Sequence, residues 1–156
     1  MPRRNRPARR EVQPDPIYGS RLAGVFINKL MQRGKRRTAE RVFYDALDIM
    51  QSRANRPGME VFEQAVQNAT PLLEVKPRRV GGSTYQVPVE ISRARQLALG
   101  LRWLRQFSSQ RRGMPMEKAM ATEIMDAYNN QGSVIKRRED THKMAQANKA
   151  FAHYAW

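Results

Sequence analysis

The chain has 156 residues, 40% of them apolar, no cysteine, and 29 lysines and arginines against 14 acidic residues, for a formal charge of +15. That length and apolar content suit one domain with a real core. The lack of cysteine excludes disulfides, thiolate metal sites and cysteine nucleophiles, and the charge asks for a polyanionic partner to relieve self-repulsion, nucleic acid ahead of an anionic membrane surface.

Residues 1–16 hold Arg3, Arg4, Arg6, Arg9 and Arg10, several prolines and little apolar content, so they are expected to form a basic disordered tail preceding a helical domain over 17–156. Ser20 is placed to cap a first helix that runs through Leu22, Phe26, Ile27 and Leu30 and stops at Gly34. A second amphipathic helix carries Ala39, Val42, Phe43, Ala46, Leu47 and Met50 at intervals of three and four. Pro57 starts a third with Val61, Phe62, Ala65, Val66 and Ala69 inside, ended before Pro71.

The helical pattern is then interrupted by a β-hairpin over about 72–91, with Arg78 and Arg79 near a Gly81-Gly82 turn. Leu73, Val75, Val87, Val89 and Ile91 all stand at odd positions, which favours a three-residue loop Gly81-Gly82-Ser83. That register pairs Leu73 with Ile91, Val75 with Val89 and Arg79 with Tyr85, and places the apolar residues on one face. A two-residue turn would pair Lys76 with Val87, setting charge against that face. A lone hairpin is unstable in water, so its base must rest on helices, while the part from about Lys76 to Tyr85 is expected to project as an arm.

After the arm, Ser92 is placed to cap a fourth helix with Ala94, Leu97, Ala98, Leu101 and Leu104 inside and Arg95 and Arg102 on another face. Pro115 opens a fifth helix built on Met116, Ala119, Met120, Ile124 and Ala127, and Gly132-Ser133 begins a last one carrying Lys136, Arg137 and Arg138. The fold expected is mainly α: a single domain of about six helices with one projecting β-hairpin. No solenoid repeat is present in the sequence.

Little in the chain suggests catalysis, a cofactor or a metal. His142 and His153 would lie about 16 Å apart along one helix and cannot share an ion. Asp45 and Asp48 are three apart on the second helix, where surface carboxylates ordinarily pair with cations such as Arg41. Gly81-Gly82 leads into a strand rather than a helix N-terminus, which rules against a nucleotide cradle. No apolar run approaches the ~18 residues of a membrane span and no hydrophobic segment follows the N-terminal arginines, so a soluble protein that stays in its compartment of synthesis is expected.

Five basic features remain: the N-terminal arginines, Lys35-Arg36-Arg37, the arm with Lys76, Arg78 and Arg79, the Arg93/Arg95/Arg102 face, and Lys136-Arg137-Arg138. Lys35 to Arg37 stand where a helix dipole disfavours cations, which points to a role outside the helix's own stability. Charge on several faces suits a folded RNA that wraps the protein better than a duplex groove. Tyr85 is placed to stack on an unpaired base or on Arg79, or to pack across the strands. The alternatives are a DNA-bending architectural protein with an arginine-tipped ribbon and, behind it, a nuclease or RNA-modifying enzyme.

Several stretches in order resemble the small-subunit ribosomal protein seven family of bacterial and organellar type. They are Asp15-Pro16-Ile17-Tyr18-Gly19-Ser20, Phe26-Ile27, Gly34-Lys35-Arg36, Val42-Phe43, Arg78-Arg79-Val80-Gly81-Gly82, Gln86-Val87-Pro88, Leu101-Arg102-Trp103, Lys136 to Asp140, and Met144-Ala145 through Tyr154. The resemblance implies a non-catalytic protein that binds the 3′ major domain of 16S ribosomal RNA and nucleates assembly of the subunit head, in the cytoplasm or an organellar stroma or matrix. It implies a monomer within the ribosome, with the arm near exit-site tRNA and messenger RNA and with ribosomal proteins nine and eleven as neighbours. It also implies ribosomal RNA contacts at Arg3, Arg4, Lys35, Arg36, Arg37, Lys76, Arg95, Arg102, Lys136, Arg137 and Arg138, and a tRNA- and mRNA-proximal set of Arg78, Arg79, Gly81, Gly82 and Tyr85. Two positions depart from the family: Ala155 stands where an arginine is usual, and the proline common near Ser92-Arg93-Ala94 is absent.

Overall fold

The computed structural model describes residues 11–154; Arg3, Arg4 and Ala155 lie outside them. Six α-helices form the body: α1 (Arg21–Leu30), α2 (Arg36–Ala54), α3 (Gly58–Ala69), α4 (Arg93–Gln110), α5 (Met116–Tyr128) and α6 (Gly132–Ala147). Between α3 and α4 stand β1 (Leu73–Val80) and β2 (Ser83–Glu90), and a 3-10 helix, Lys149–Tyr154, follows α6. The α5 helix packs against α2, α3, α4 and α6, so it is the axis of the bundle.

The core is where the three- and four-residue periodicity places it. Phe26 of α1, Phe43 of α2 and Phe62 of α3 meet with ring centroids 5.1–5.7 Å apart, in the tilted and edge-on geometries that aromatic rings prefer. Leu47, Met50, Leu101, Leu104, Met120 and Ile124 close around them, each almost fully buried. Ser20 caps α1 by accepting from the Ala23 N–H at 3.4 Å. That helix ends at Leu30 rather than at Gly34, because Met31 turns extended once the apolar stripe is complete; Arg33 and Gly34 then adopt left-handed conformations that reverse the chain into α2.

In α4 the buried set is Leu99, Gly100, Leu101, Trp103, Leu104 and Ser108, and Ala94, expected inside, is exposed. The helix packs against α1 and α5 and also against α3 and α6, so its covered arc is wider than one apolar stripe, while its first turn reaches past the bundle. Ser92 occupies the N-cap, yet its carbonyl rather than its side chain receives the bonds from Arg95 and Gln96, both 2.9 Å.

The hairpin register differs from the one the apolar pattern favours. Val80 pairs with Ser83 across a two-residue Gly81-Gly82 turn, and the ladder continues through Arg79↔Thr84, Arg78↔Tyr85, Lys76↔Val87, Val75↔Pro88 and Leu73↔Glu90. Both glycines have positive φ, +58° and +89°, the signature of the two-residue turn whose twist matches paired strands. Local turn chemistry therefore overrides the apolar parity. Directly opposed residues share a face, so Leu73 and Val75 lie on one side of the ribbon and Val87 and Val89 on the other.

Tyr85 opposes Arg78 and not Arg79, and its ring rests against Phe151 and Tyr154 of the 3-10 helix at 5.2 and 5.4 Å. The arm is thus propped from its side at Tyr85, while its tip, Gly81 to Thr84, and Lys76, Pro77, Arg79 and Gln86 are exposed. A break at Asn148 separates α6 from the 3-10 helix, so His142 and His153 belong to different elements instead of one helix.

Candidate nucleic-acid interface

Two grooves border α4, and cations line both of them. Arg102 lines a groove bounded by the arm, α4 and α6, together with Glu74, Gln86, Trp103, Gln106 and Arg137. About one turn farther along α4, Arg105 lines with Lys35 a second groove among α1, α2, α4 and α5. Lys29, in the last turn of α1, feels Arg102: burial first, and that like charge second, lower its pKa from the ordinary lysine value. Cations held close to one another without a carboxylate between them create an unmet demand for anions.

Glu74 links the arm to this face. Nearly buried, it takes Arg95 Nε of α4 at 3.3 Å on Oε2, while Lys76 Nζ stands 3.1 Å from Oε1 as an ion pair outside hydrogen-bond geometry. A carboxylate removed from water demands such partners, and here they fix the base of β1 to the start of α4. Arg95 and Lys76 are thereby brought together and partly neutralised, whereas Arg102 and Arg137 remain exposed and without an ion-pair partner among the described residues.

Other expected contact residues have different surroundings. Lys35 is the N-cap of α2 and exposed, Arg36 is bound to Glu40 one turn later at 2.7 Å, and Arg37 is exposed and free of carboxylates among the described residues. Arg138 is half-buried and donates to the Asn68 carbonyl at the end of α3, holding α6 to α3, with Glu139 3.9 Å away. Lys136 is exposed one position before Arg137, so it points to a different side of α6. Arg79 lies exposed near the arm's tip, and Arg78 is half-buried on the Tyr85 face.

The remaining charged clusters hold the fold. Glu123, buried in α5, accepts from Arg111 at 2.7 Å and from the Val134 N–H at 3.3 Å, and Arg111 also binds Asp126; α4, α5 and α6 are tied at one point. Burial opposes the Arg111 charge, but these two carboxylates outweigh it and raise its pKa. His142 Nε2 accepts from the Leu72 N–H at 3.0 Å, and burial, then the nearby Arg138 charge, lower its pKa and favour the neutral ring that this bond needs. Asp45 and Asp48 are exposed, and no three His, Asp or Glu side chains converge among the described residues. The geometry suits electrostatic grip on an extended polyanion along α4.

Residues 2–149 match the family described as Ribosomal protein S7p/S5e. The chain belongs to that family. Proteins named small ribosomal subunit protein uS7 from Thermoanaerobacter pseudethanolicus, Thermomicrobium roseum and Heliobacterium modesticaldum are 54%, 55% and 56% identical to it over 156 residues, covering all of each chain. In this S7p/S5e member, Lys29 and Arg105 are additions to the cationic face that the sequence pattern did not single out. Arg105 could have been found: it stands three residues after Arg102, hence on nearly the same side of α4. Lys29 carried no such signal, because only the crossing of α1 over α4 brings it to Arg102.

Proposed function

We propose that this S7p/S5e family member, a structural protein of the small ribosomal subunit in the cytoplasm, binds the 3′ major domain of 16S ribosomal RNA and nucleates the subunit head. The observation that carries the reading is the gathering of Lys35, Arg102, Arg105 and Arg137 on two grooves along α4, with Lys29 close enough to Arg102 to feel its charge. A protein that orders several RNA helices needs phosphate contacts at more than one place on a rigid element, and the packing of α4 against four other helices supplies that rigidity. Full-length identity above half to proteins named for the small subunit supports the same reading. It acts without catalysis.

The arm is assigned a separate task. Arg78, Arg79, Gly81, Gly82 and Tyr85 face exit-site tRNA and messenger RNA, and ribosomal proteins nine and eleven are the protein neighbours. The 3-10 helix that props Tyr85 supports this division, since an arm that must meet a ligand in one place benefits from a fixed base. The test is footprinting of 16S RNA after binding of the purified chain. Protections confined to the 3′ major domain, unchanged when Arg78 and Arg79 are replaced by alanine and weakened by replacement of Lys35 and Arg37, are expected. Protections scattered over all domains, or lost equally in both variants, would refute the assignment.

A further inference from the structure

The turn Asp15 to Gly19 lies outside both grooves and is built with unusual care for a surface feature. Asp15 is 1% exposed, and every polar group of it is engaged. Its Oδ2 accepts from the N–H groups of Ile17 at 3.2 Å and Tyr18 at 3.0 Å, and its Oδ1 accepts from the Tyr44 hydroxyl at 2.5 Å. Its backbone carbonyl accepts from Gly19 at 2.8 Å, and its N–H donates to the Ser20 carbonyl at 3.1 Å. What this framework presents to solvent is Ile17, 64% exposed, and Tyr18, 43% exposed. A buried carboxylate is thus committed to holding two large apolar side chains in water.

We propose that Tyr18 is a stacking platform for one unpaired nucleobase of the bound RNA, with Arg37 and Arg41 of α2 meeting the adjacent phosphates. This rests on the RNA-binding reading above. The Tyr18 ring leans on Tyr44 with centroids 6.2 Å apart and planes at 48°, and Tyr44 in turn stands 6.0 Å from the buried ring of Phe43. Its edge is thereby anchored to the core while ring surface stays open, and its hydroxyl bonds to nothing among the described residues. Arg37 and Arg41 precede Tyr44 by seven and three residues, so they share its side of α2. Both are exposed and engage no carboxylate among the described residues, the intervening Glu40 being taken by Arg36. A preformed aromatic face beside free arginines is the arrangement that recognises unpaired RNA bases. A protein partner fits less well: Ile17 and Tyr18 alone offer far less than the ~600 Å² per side of a small interface, and the other exposed large apolar residues, Leu72, Met114 and Met144, belong to other elements.

The test compares the full-length chain with Tyr18→Phe, which keeps the ring, and Tyr18→Leu, which keeps apolar bulk without it. Each is measured for affinity to a 3′ major-domain fragment of 16S RNA and for base reactivity of the RNA in the complex, with thermal unfolding as the check that all three fold. Tyr18→Phe is expected to bind as the parent does. Tyr18→Leu should bind about five- to hundredfold more weakly, with one unpaired nucleotide regaining reactivity while the rest of the footprint persists. Equal binding by Phe and Leu variants overturns the platform and leaves Tyr18 as cover for Tyr44. RNA binding unchanged in both, with Tyr18→Leu failing to enter the assembled subunit, overturns it in favour of a protein contact. Failure of the parent chain to bind the fragment overturns the RNA-binding reading itself, a result separable from the others.

Discussion

Replacing Arg102 and Arg137 together by glutamine removes two exposed cations that line one groove and take no carboxylate, so the loss is one of phosphate neutralisation and not of folding. Each phosphate contact contributes about 0.7–0.9 to the slope of log affinity against log salt, so the pair should lower the slope by about 1.4–1.8. At about 0.15 M salt the same relation makes each contact worth about four- to fivefold, hence a loss near twentyfold for the pair. Filter-binding or fluorescence titrations of a 3′ major-domain RNA fragment from about 0.05 to 0.5 M salt measure both quantities. Urea unfolding run alongside should give an unchanged midpoint. An unaltered slope, or an affinity loss that tracks a fall in stability, would refute the view that these side chains face the RNA backbone across the groove.

Arg138, beside Arg137 in sequence, should behave in the opposite way: Arg138→Ala leaves the Asn68 carbonyl without its charged donor and is expected to lower stability by roughly 1–3 kcal/mol in denaturant unfolding, with little change in salt slope. Gly58→Ala places a methyl about where the Leu47 carbonyl oxygen would stand 2.5 Å away; the backbone must shift, and a loss of about 1–3 kcal/mol is expected in the same assay. His142 adds a pH dependence. Its folded pKa lies below its ordinary 6.5, so the unfolded chain takes up the proton first; the stability due to the neutral ring is whole above that value and is lost as pH falls from there through the folded pKa. The charged groups around it are Arg138, Lys143 and Glu139. Unfolding at about pH 7.5 and pH 5.5 should show a smaller drop for His142→Gln, which has no imidazole to protonate, than for the parent. Equal drops in the two proteins would assign the pH dependence elsewhere.

Most of the helical body is legible in the sequence because a stripe at three- and four-residue spacing has one natural way to be buried. Phe26, Phe43 and Phe62 are each readable as core from their own helices, though their mutual contact is not. The hairpin's existence is legible from Gly81-Gly82 between alternating apolar residues, but its register is not. Parity of Leu73, Val75, Val87 and Val89 argues for one buried face, whereas the ribbon uses both: its Glu74/Tyr85/Val87 face meets α4 and the 3-10 helix, its Leu73/Pro88 face lines a groove with His142 and Ala145 of α6, and the paired positive φ values decide the turn.

The cationic face was legible as clusters and illegible as a surface. Lys136, Arg137 and Arg138 read as one basic run, yet helical rotation sends them three ways, and the partner of Arg138 is a carbonyl seventy residues earlier. Lys29 and Arg102 become neighbours only through the packing of α1 on α4. Asp15 reads as a loop residue in a basic leader, but the Tyr44 hydroxyl that buries it comes from the second helix. Asp15 itself, placed by its sequence in the basic tail 1–16, is buried.

If the chain grips a folded ribosomal RNA through a shaped cationic face, the fold of the RNA and not its charge density alone must set the affinity. A salt-series titration of the purified monomer against a 3′ major-domain fragment of 16S RNA and against duplex DNA of equal length tests it most directly. Tight RNA binding that survives competitor, with DNA binding that vanishes as salt rises, is the predicted result. Equal affinity for the two at every salt concentration would contradict it and return the arginine-tipped ribbon to the DNA-bending reading.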